Sequence, residues 1–147
     1  MNNQSSHQPT TTQSAVFQKI YTVQPADIDG LGHMNNTVYL KLMEDMAWSH
    51  SNVLGITVED FQRLGYAMVA REHHMTYLAA LFPDEKVQME TWLDNNNALN
   101  LHRYYRFTRL SDQKLAFEGH THWVCIAIDT GRPHRMPPEF KVAYGVK

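Results

Sequence analysis

The chain has 147 residues, enough for one domain around one core, since domains cluster near roughly 100 to 150 residues. Lys+Arg total 13 against Asp+Glu 15, a net charge of -2 spread along the sequence, and this argues against a nucleic-acid partner, which needs a basic stripe. The lone Cys125 forms no intrachain disulfide, no apolar run reaches the about 18 residues of a membrane span, and the first residues lack a charged-then-apolar leader. The expectation is a soluble cytoplasmic protein with no membrane partner.

Residues 1–14 are almost entirely Asn, Gln, Ser, Thr, His and Pro, too poor in apolar surface to offset the entropy of ordering them, and are expected to form a disordered tail. A single domain is expected over 15–147. Val16, Phe17, Ile20, Tyr21 and Val23 predict a first strand, which Pro25 interrupts. A loop dense in Asp, Gly and Asn follows. Tyr39, Leu42, Met43, Met46 and Ala47 then recur at three- and four-residue spacing, predicting a largely buried helix from about Thr37 to His50. Asn35 or Asn36 is suited to cap its N-terminus, and Gly55 lies beyond its end. A short second helix is expected from Thr57 to Leu64.

From Tyr66 onward four strand patterns follow, YAMVAREHHMTYL, KVQMETWL, ALNLHRYYRFTRL and KLAFEGHTHWVCIAID. Turn signals separate them at Phe82-Pro83-Asp84, Asp94 to Asn97 and Ser111-Asp112-Gln113, so the strands are expected to form an antiparallel meander. The closing DTGRPHRMPPEF is too rich in proline for a central strand and is expected to cross the surface. One apolar helix and one long sheet bury their apolar faces only against each other, which predicts an α+β domain with the sheet wrapped around the helix.

The chemistry concentrates in Asp27-Ile28-Asp29-Gly30-Leu31-Gly32-His33-Met34-Asn35-Asn36-Thr37-Val38-Tyr39. A helix N-terminus presents unpaired N–H groups and the positive end of the helix dipole, an arrangement suited to an oxyanion, and Asp29 sits one loop before it. Gly30 and Gly32 are expected to allow the tight backbone path that holds the carboxylate there. Asp and Asn also occur ordinarily as turn and cap residues, and that is the preferred reading of Asp27.

This segment closely resembles the active-site motif of hotdog-fold acyl-CoA thioesterases of the 4-hydroxybenzoyl-CoA type, D-x-D-x-x-G followed by H-x-N-N-x-x-Y at the start of the central helix. The resemblance runs from the strand before the loop to VCIAIDTGRP. It implies the hotdog fold, Asp29 as nucleophile or general base on a thioester carbonyl, and a backbone N–H near Asn36 bonding the thioester oxygen. It further implies His33 as a supporting catalytic residue, with Gly32, Asn35, Tyr39 and Glu44 on the substrate side. Plant acyl-carrier-protein thioesterases, which are related, carry an asparagine at the position of Leu31 and a catalytic histidine at that of His33; Leu31 is a departure from that pattern. The implied substrate is a fatty or aryl acyl-CoA, without metal or other cofactor. The implied assembly is a homodimer or homotetramer with active sites at the subunit interface.

In the aromatic-substrate members a basic cluster at the turn between the third and fourth strands contacts CoA, whereas here that turn reads Asp94-Asn95-Asn96-Asn97, leaving Arg103, Arg106, Arg132 and Arg135 as substitutes. His120 and His122 share one strand face, but no third metal ligand stands at a matching spacing, and Cys125 sits in an apolar strand as a core residue. Tyr104, Tyr105, Phe107 and Trp123 are expected in the core or at a subunit interface, with lining of an acyl pocket as an alternative for some of them. Two other functions fit the same loop. A hotdog hydratase or dehydratase would add water to an enoyl thioester without releasing thiol, and a non-catalytic acyl-CoA-binding module would be stabilised by ligand without turnover.

Overall fold

The computed structural model describes residues 14–147; the segment read as a disordered tail lies outside the described residues up to 13. Ser14 belongs to the ordered fold: its N–H donates to the Leu93 carbonyl at 2.7 Å and its hydroxyl accepts from the Leu93 N–H at 2.8 Å.

Five strands, β1 (Phe17–Thr22), β2 (Tyr66–Tyr77), β3 (Lys86–Asp94), β4 (Asn100–Arg109) and β5 (Lys114–Ala127), form one antiparallel sheet in the order β1-β3-β4-β5-β2. The meander is therefore β3-β4-β5 only. β2 pairs along β5, Tyr66 opposite Ala127 to Tyr77 opposite Phe117, on the edge away from β1. Local turn signals do not carry this correction. The helices that follow β1 cross the concave face before the chain re-enters the sheet, so β2 meets the sheet at its far edge.

The helix α1 (Asn36–Val53) fills the concavity. It begins where Asn35 Oδ1 accepts the Thr37 N–H at 2.9 Å, a cap worth about 1 kcal/mol. It runs beyond the expected His50 to Val53, because nothing in Ser51-Asn52-Val53 breaks it before Gly55 takes a φ of +98°. The helix α2 (Val58–Leu64) opens on a Thr57–Asp60 capping box and ends on Gly65 in the left-handed region.

Residues alternate across the sheet, most cleanly in β4, where Leu101, Arg103, Tyr105 and Phe107 face inward. Two apolar clusters result. One gathers Met34, Tyr39, Met43, Met46, Met89, Phe107 and Phe117 around the N-terminal half of α1. The other gathers Ile56, Phe61, Met68, Leu101, Cys125 and Phe140 around its C-terminal end. Between them the buried polar residues His50, Thr91, Arg103 and Thr121 form a seam.

The proline-rich tail does not simply cross the surface. It leads into α3 (Pro138–Tyr144), which buries Phe140 and Tyr144 in the second cluster, while Met136 just before it is buried too. Pro137 and Pro138 stand at the cap and first turn, where a missing N–H costs nothing, so a composition that argues against a strand is compatible with a helix start.

Candidate active site

The loop between β1 and α1 is built by backbone bonds. The Asp29 N–H donates to the His33 carbonyl at 3.0 Å and the Gly32 N–H to the Asp29 carbonyl at 3.1 Å, while Ile28 and Met34 form an isolated antiparallel bridge. Gly32 takes a φ of +86°, which L side chains adopt only with strain. Gly30 does not have a positive φ, so the expected need for glycine holds at one of the two positions. Asp27 is structural, as expected: its carboxylate accepts from the Gln24 N–H at 2.8 Å and from the Tyr21 hydroxyl. That hydroxyl is pushed up to about 12, first by burial and then by the hydrogen bond to Asp27.

Asp29 Oδ1 accepts the Leu31 N–H at 2.8 Å, an Asx turn that fixes the carboxylate direction. Asp29 Oδ2 lies 3.9 Å from His33 Nδ1, an ion-pair distance rather than a hydrogen bond. Leu31, at the tip, is 81% exposed. At the start of α1 the Asn35 side chain accepts the Thr37 N–H and hydroxyl, and the Asn35 carbonyl takes the Val38 N–H at 3.0 Å. The Asn36 N–H has no hydrogen-bond acceptor among the described residues. A fixed carboxylate and an open helix-start donor can attack, or activate water against, a polarised carbonyl and stabilise the resulting oxyanion.

Tyr39 is 3% exposed and packs with Tyr77, Phe107 and Phe117 in the first cluster; burial pushes its hydroxyl up to about 12. It supports the loop from beneath. Glu44 lies exposed two turns along α1. The sequence did not disclose Tyr77, whose hydroxyl donates to the Asn36 carbonyl at 3.2 Å, or Leu81, whose carbonyl accepts the Met34 N–H at 2.7 Å. Tyr77 comes from the end of β2 and Leu81 from the connection that follows it, and no local spacing marks them.

Two of the four candidate cations for CoA are otherwise engaged. Arg103 is buried 1% exposed against His50, and Arg106 pairs with Glu90 at 3.2 Å while lying over the Trp92 ring. Arg132 and Arg135 remain exposed. On the convex face His102 of β4 joins the expected pair: it stacks on His120 and His122, and its Nδ1 lies 3.0 Å from His120 Nε2. His122 Nε2 bonds Asn100 Oδ1 at 2.6 Å, so these rings bond within the sheet face. Cys125 is buried and its thiol is pushed up to about 11 by burial, as fits a core residue.

The family model described as the thioesterase-like superfamily matches residues 23–144. No curated protein matches the sequence. Among solved structures the chain is similar to a 1,4-dihydroxy-2-naphthoyl-CoA thioesterase from Synechocystis, at 17% identity and a TM-score of 0.81 over 89% of this chain and 96% of that one. It is similar to a hypothetical protein of Staphylococcus aureus in complex with CoA, at 22% identity and 0.83 over 89% and 82%. A DHNA-CoA thioesterase from Staphylococcus aureus shows 23% identity and 0.80 over 88% and 89%. With the family matched across the loop, α1, four of the five strands and α3, the chain belongs to the thioesterase-like superfamily and is a thioester hydrolase of the hotdog fold.

Proposed function

We propose that the protein hydrolyses a fatty or aryl acyl-CoA to the free acid and coenzyme A, from one domain over 15–147 in the cytoplasm. Asp29 acts as nucleophile or general base and the Asn36 N–H receives the thioester oxygen. The observation that carries this is the Asp29 carboxylate, aimed by the Leu31 N–H, one loop before a helix-start N–H with no protein acceptor among the described residues. Attack by water or carboxylate forms a C–O bond and moves charge to the carbonyl oxygen; collapse breaks the C–S bond and releases coenzyme A as thiolate. Direct attack by Asp29 leaves an anhydride for water to cleave. His33 supports the loop, Gly32, Asn35 and Glu44 shape the substrate side, and Tyr39, expected there too, acts instead from the core beneath the helix start.

Two of the similar structures are named as CoA thioesterases and one holds CoA, which supports CoA as the carrier. The exposed Arg132 and Arg135 are the cations proposed for its phosphates. The outer edge of β2 is largely exposed along a twelve-residue strand, an edge that pairing with a second copy would cover, and the exposed Asn36 is held by Tyr77 of that strand. This supports a homodimer or homotetramer with shared sites.

The test is free-thiol release from a panel of short, long and aryl acyl-CoAs by wild type and Asp29→Asn. Turnover by wild type and its loss in the variant establish the reading; equal activity, or water addition to enoyl-CoA without thiol, overturns it. Single turnover in isotopic water separates the two mechanisms, because only the anhydride route places heavy oxygen in Asp29.

A further inference from the structure

The polar seam contains a charge with no acidic partner among the described residues. Arg103 is fully buried, and a guanidinium stays protonated in proteins, so its charge needs an anion or a dense set of acceptors. Both hydrogen bonds it makes leave from Nη1, to His50 Nδ1 at 2.8 Å and to Thr91 Oγ1 at 3.2 Å. Both acceptors are neutral. The groups that act electrostatically on Arg103 are Tyr105 and Tyr144, and no carboxylate is among them. Asp94, the nearest acid along β3, neighbours Leu93, which stands opposite Arg103, and it therefore points to the other face of the sheet.

Arg103 lines a cavity of about 30 Å³ between α1, α2, α3 and the sheet, with Trp48, Ser51, Phe61, Trp123 and Tyr144 among its walls. Trp123 Nε1 is buried there with no hydrogen-bond acceptor among the described residues. The Ser51 and Tyr144 hydroxyls are 3.1 Å apart and occupy each other. The unsatisfied Trp123 N–H and the Arg103 guanidinium, whose bonds both leave from Nη1, therefore share one small space inside largely apolar walls. Trp48, 40% exposed, stands at the mouth.

We propose that this cavity is a binding site for the carboxylate of a small apolar monocarboxylic acid, separate from the catalytic loop. The charge of Arg103 selects an anion. Its planar fork together with the Trp123 N–H suits a two-oxygen head group better than a spherical ion. The aromatic walls take an alkyl or aryl body, which would leave by way of Trp48. The site lies at the C-terminal half of α1, around Ala47 to Ser51, whereas Asp29 and Asn36 lie at its other end.

The test is equilibrium titration of the full chain with sodium butyrate at pH 7.5 and constant ionic strength, read by tryptophan fluorescence and thermal shift. Butyramide and sodium chloride serve as the neutral and spherical controls. Butyrate is expected to saturate in the range of about 1–10 mM, as suits a ligand of so few atoms, with neither control doing so. Trp123→Phe, which keeps the ring and removes the donor, is expected to weaken binding by about fivefold, the size of one hydrogen bond. Trp48→Ala at the exposed mouth weakens it as well, and Asp29→Asn leaves it unchanged.

The proposal is overturned if butyrate does not saturate or butyramide matches it. It is overturned equally if chloride matches butyrate, or if Asp29→Asn abolishes the response while Trp48→Ala keeps it. No thioester is present in the titration, so this outcome is independent of thiol release and of the assignment of Asp29.

Discussion

Arg103 Nη1 donates to His50 Nδ1 across 2.8 Å, which obliges the imidazole to carry its proton on Nε2 and to remain neutral. Burial, and then the Arg103 charge, push His50 down to about 4 from its ordinary 6.5. Below pH 6.5 the unfolded chain takes up a proton that the folded chain refuses until about 4. Stability contributed by this residue is therefore complete above 6.5 and falls by about 1.4 kcal/mol per pH unit between 6.5 and 4. His50→Asn, whose Oδ1 can accept from Arg103, is expected to flatten this part of the stability profile. Urea unfolding at pH 7 and pH 4.5 measures it, and an unchanged slope contradicts the assignment. His102, also pushed down by burial first, adds a loss of the same sign in wild type and variant alike.

Asp29→Asn keeps an Oδ1 to accept the Leu31 N–H, so the loop is expected to hold its shape and the melting temperature to stay within about 2 °C, as for a surface change of under 0.5 kcal/mol. Thiol release is expected to fall at least about a hundredfold, the usual loss on removing an acid or base. Preserved stability with lost activity separates chemistry from folding.

Gly32→Ala and Gly30→Ala form a matched pair. Neither Cβ would meet an atom within 4 Å, but Gly32 sits at a φ of +86° and Gly30 does not. Gly32→Ala is expected to cost about 1–2 kcal/mol and, by loosening the Gly32 N–H bond to the Asp29 carbonyl, to lower kcat. Gly30→Ala is expected to leave both near wild type.

Gly119→Ala tests the packing of α1 on the sheet. Its Cβ would lie 3.1 Å from Met43 Cε, 3.2 Å from Met43 Sδ and 3.1 Å from Phe117 Cε1. The Met43 end can swing aside, so the loss in denaturant unfolding is expected near about 1 kcal/mol, the lower end for overpacking.

Phe140→Ala removes a fully buried ring that packs against Phe61 and is expected to cost about 3–5 kcal/mol. A value near zero would show that α3 does not belong to the cooperative core.

Much of this was legible in the sequence because it depends on near neighbours. The three- and four-residue spacing of Tyr39, Leu42, Met43 and Met46 marks the buried side of α1, and Asn35 caps it from one residue away. The Asp29 turn closes on Leu31 two residues later. The same locality explains the failures. Proline near residue 137 argues against a strand and conceals the start of α3, and the turn signal at Phe82-Pro83-Asp84 suggests a hairpin where the chain instead changes edges of the sheet. Arg103 and Trp123 read as a candidate phosphate ligand and a core aromatic, because their alternation along a strand states which face they share and not what lies above it.

The sequence by itself determined the five strands, the first two helices, the loop motif and the position of Asp29 before a helix N-terminus, since hydrogen bonds between residues a few places apart require no knowledge of the fold. Tertiary structure decided the rest: the placement of β2 beside β5, the support of Asn36 by Tyr77, and the seam in which Arg103 meets His50 and faces Trp123. Those relationships join residues separated by tens of positions. They arise only when the sheet closes over α1 and burial removes the water that would otherwise have satisfied each group alone.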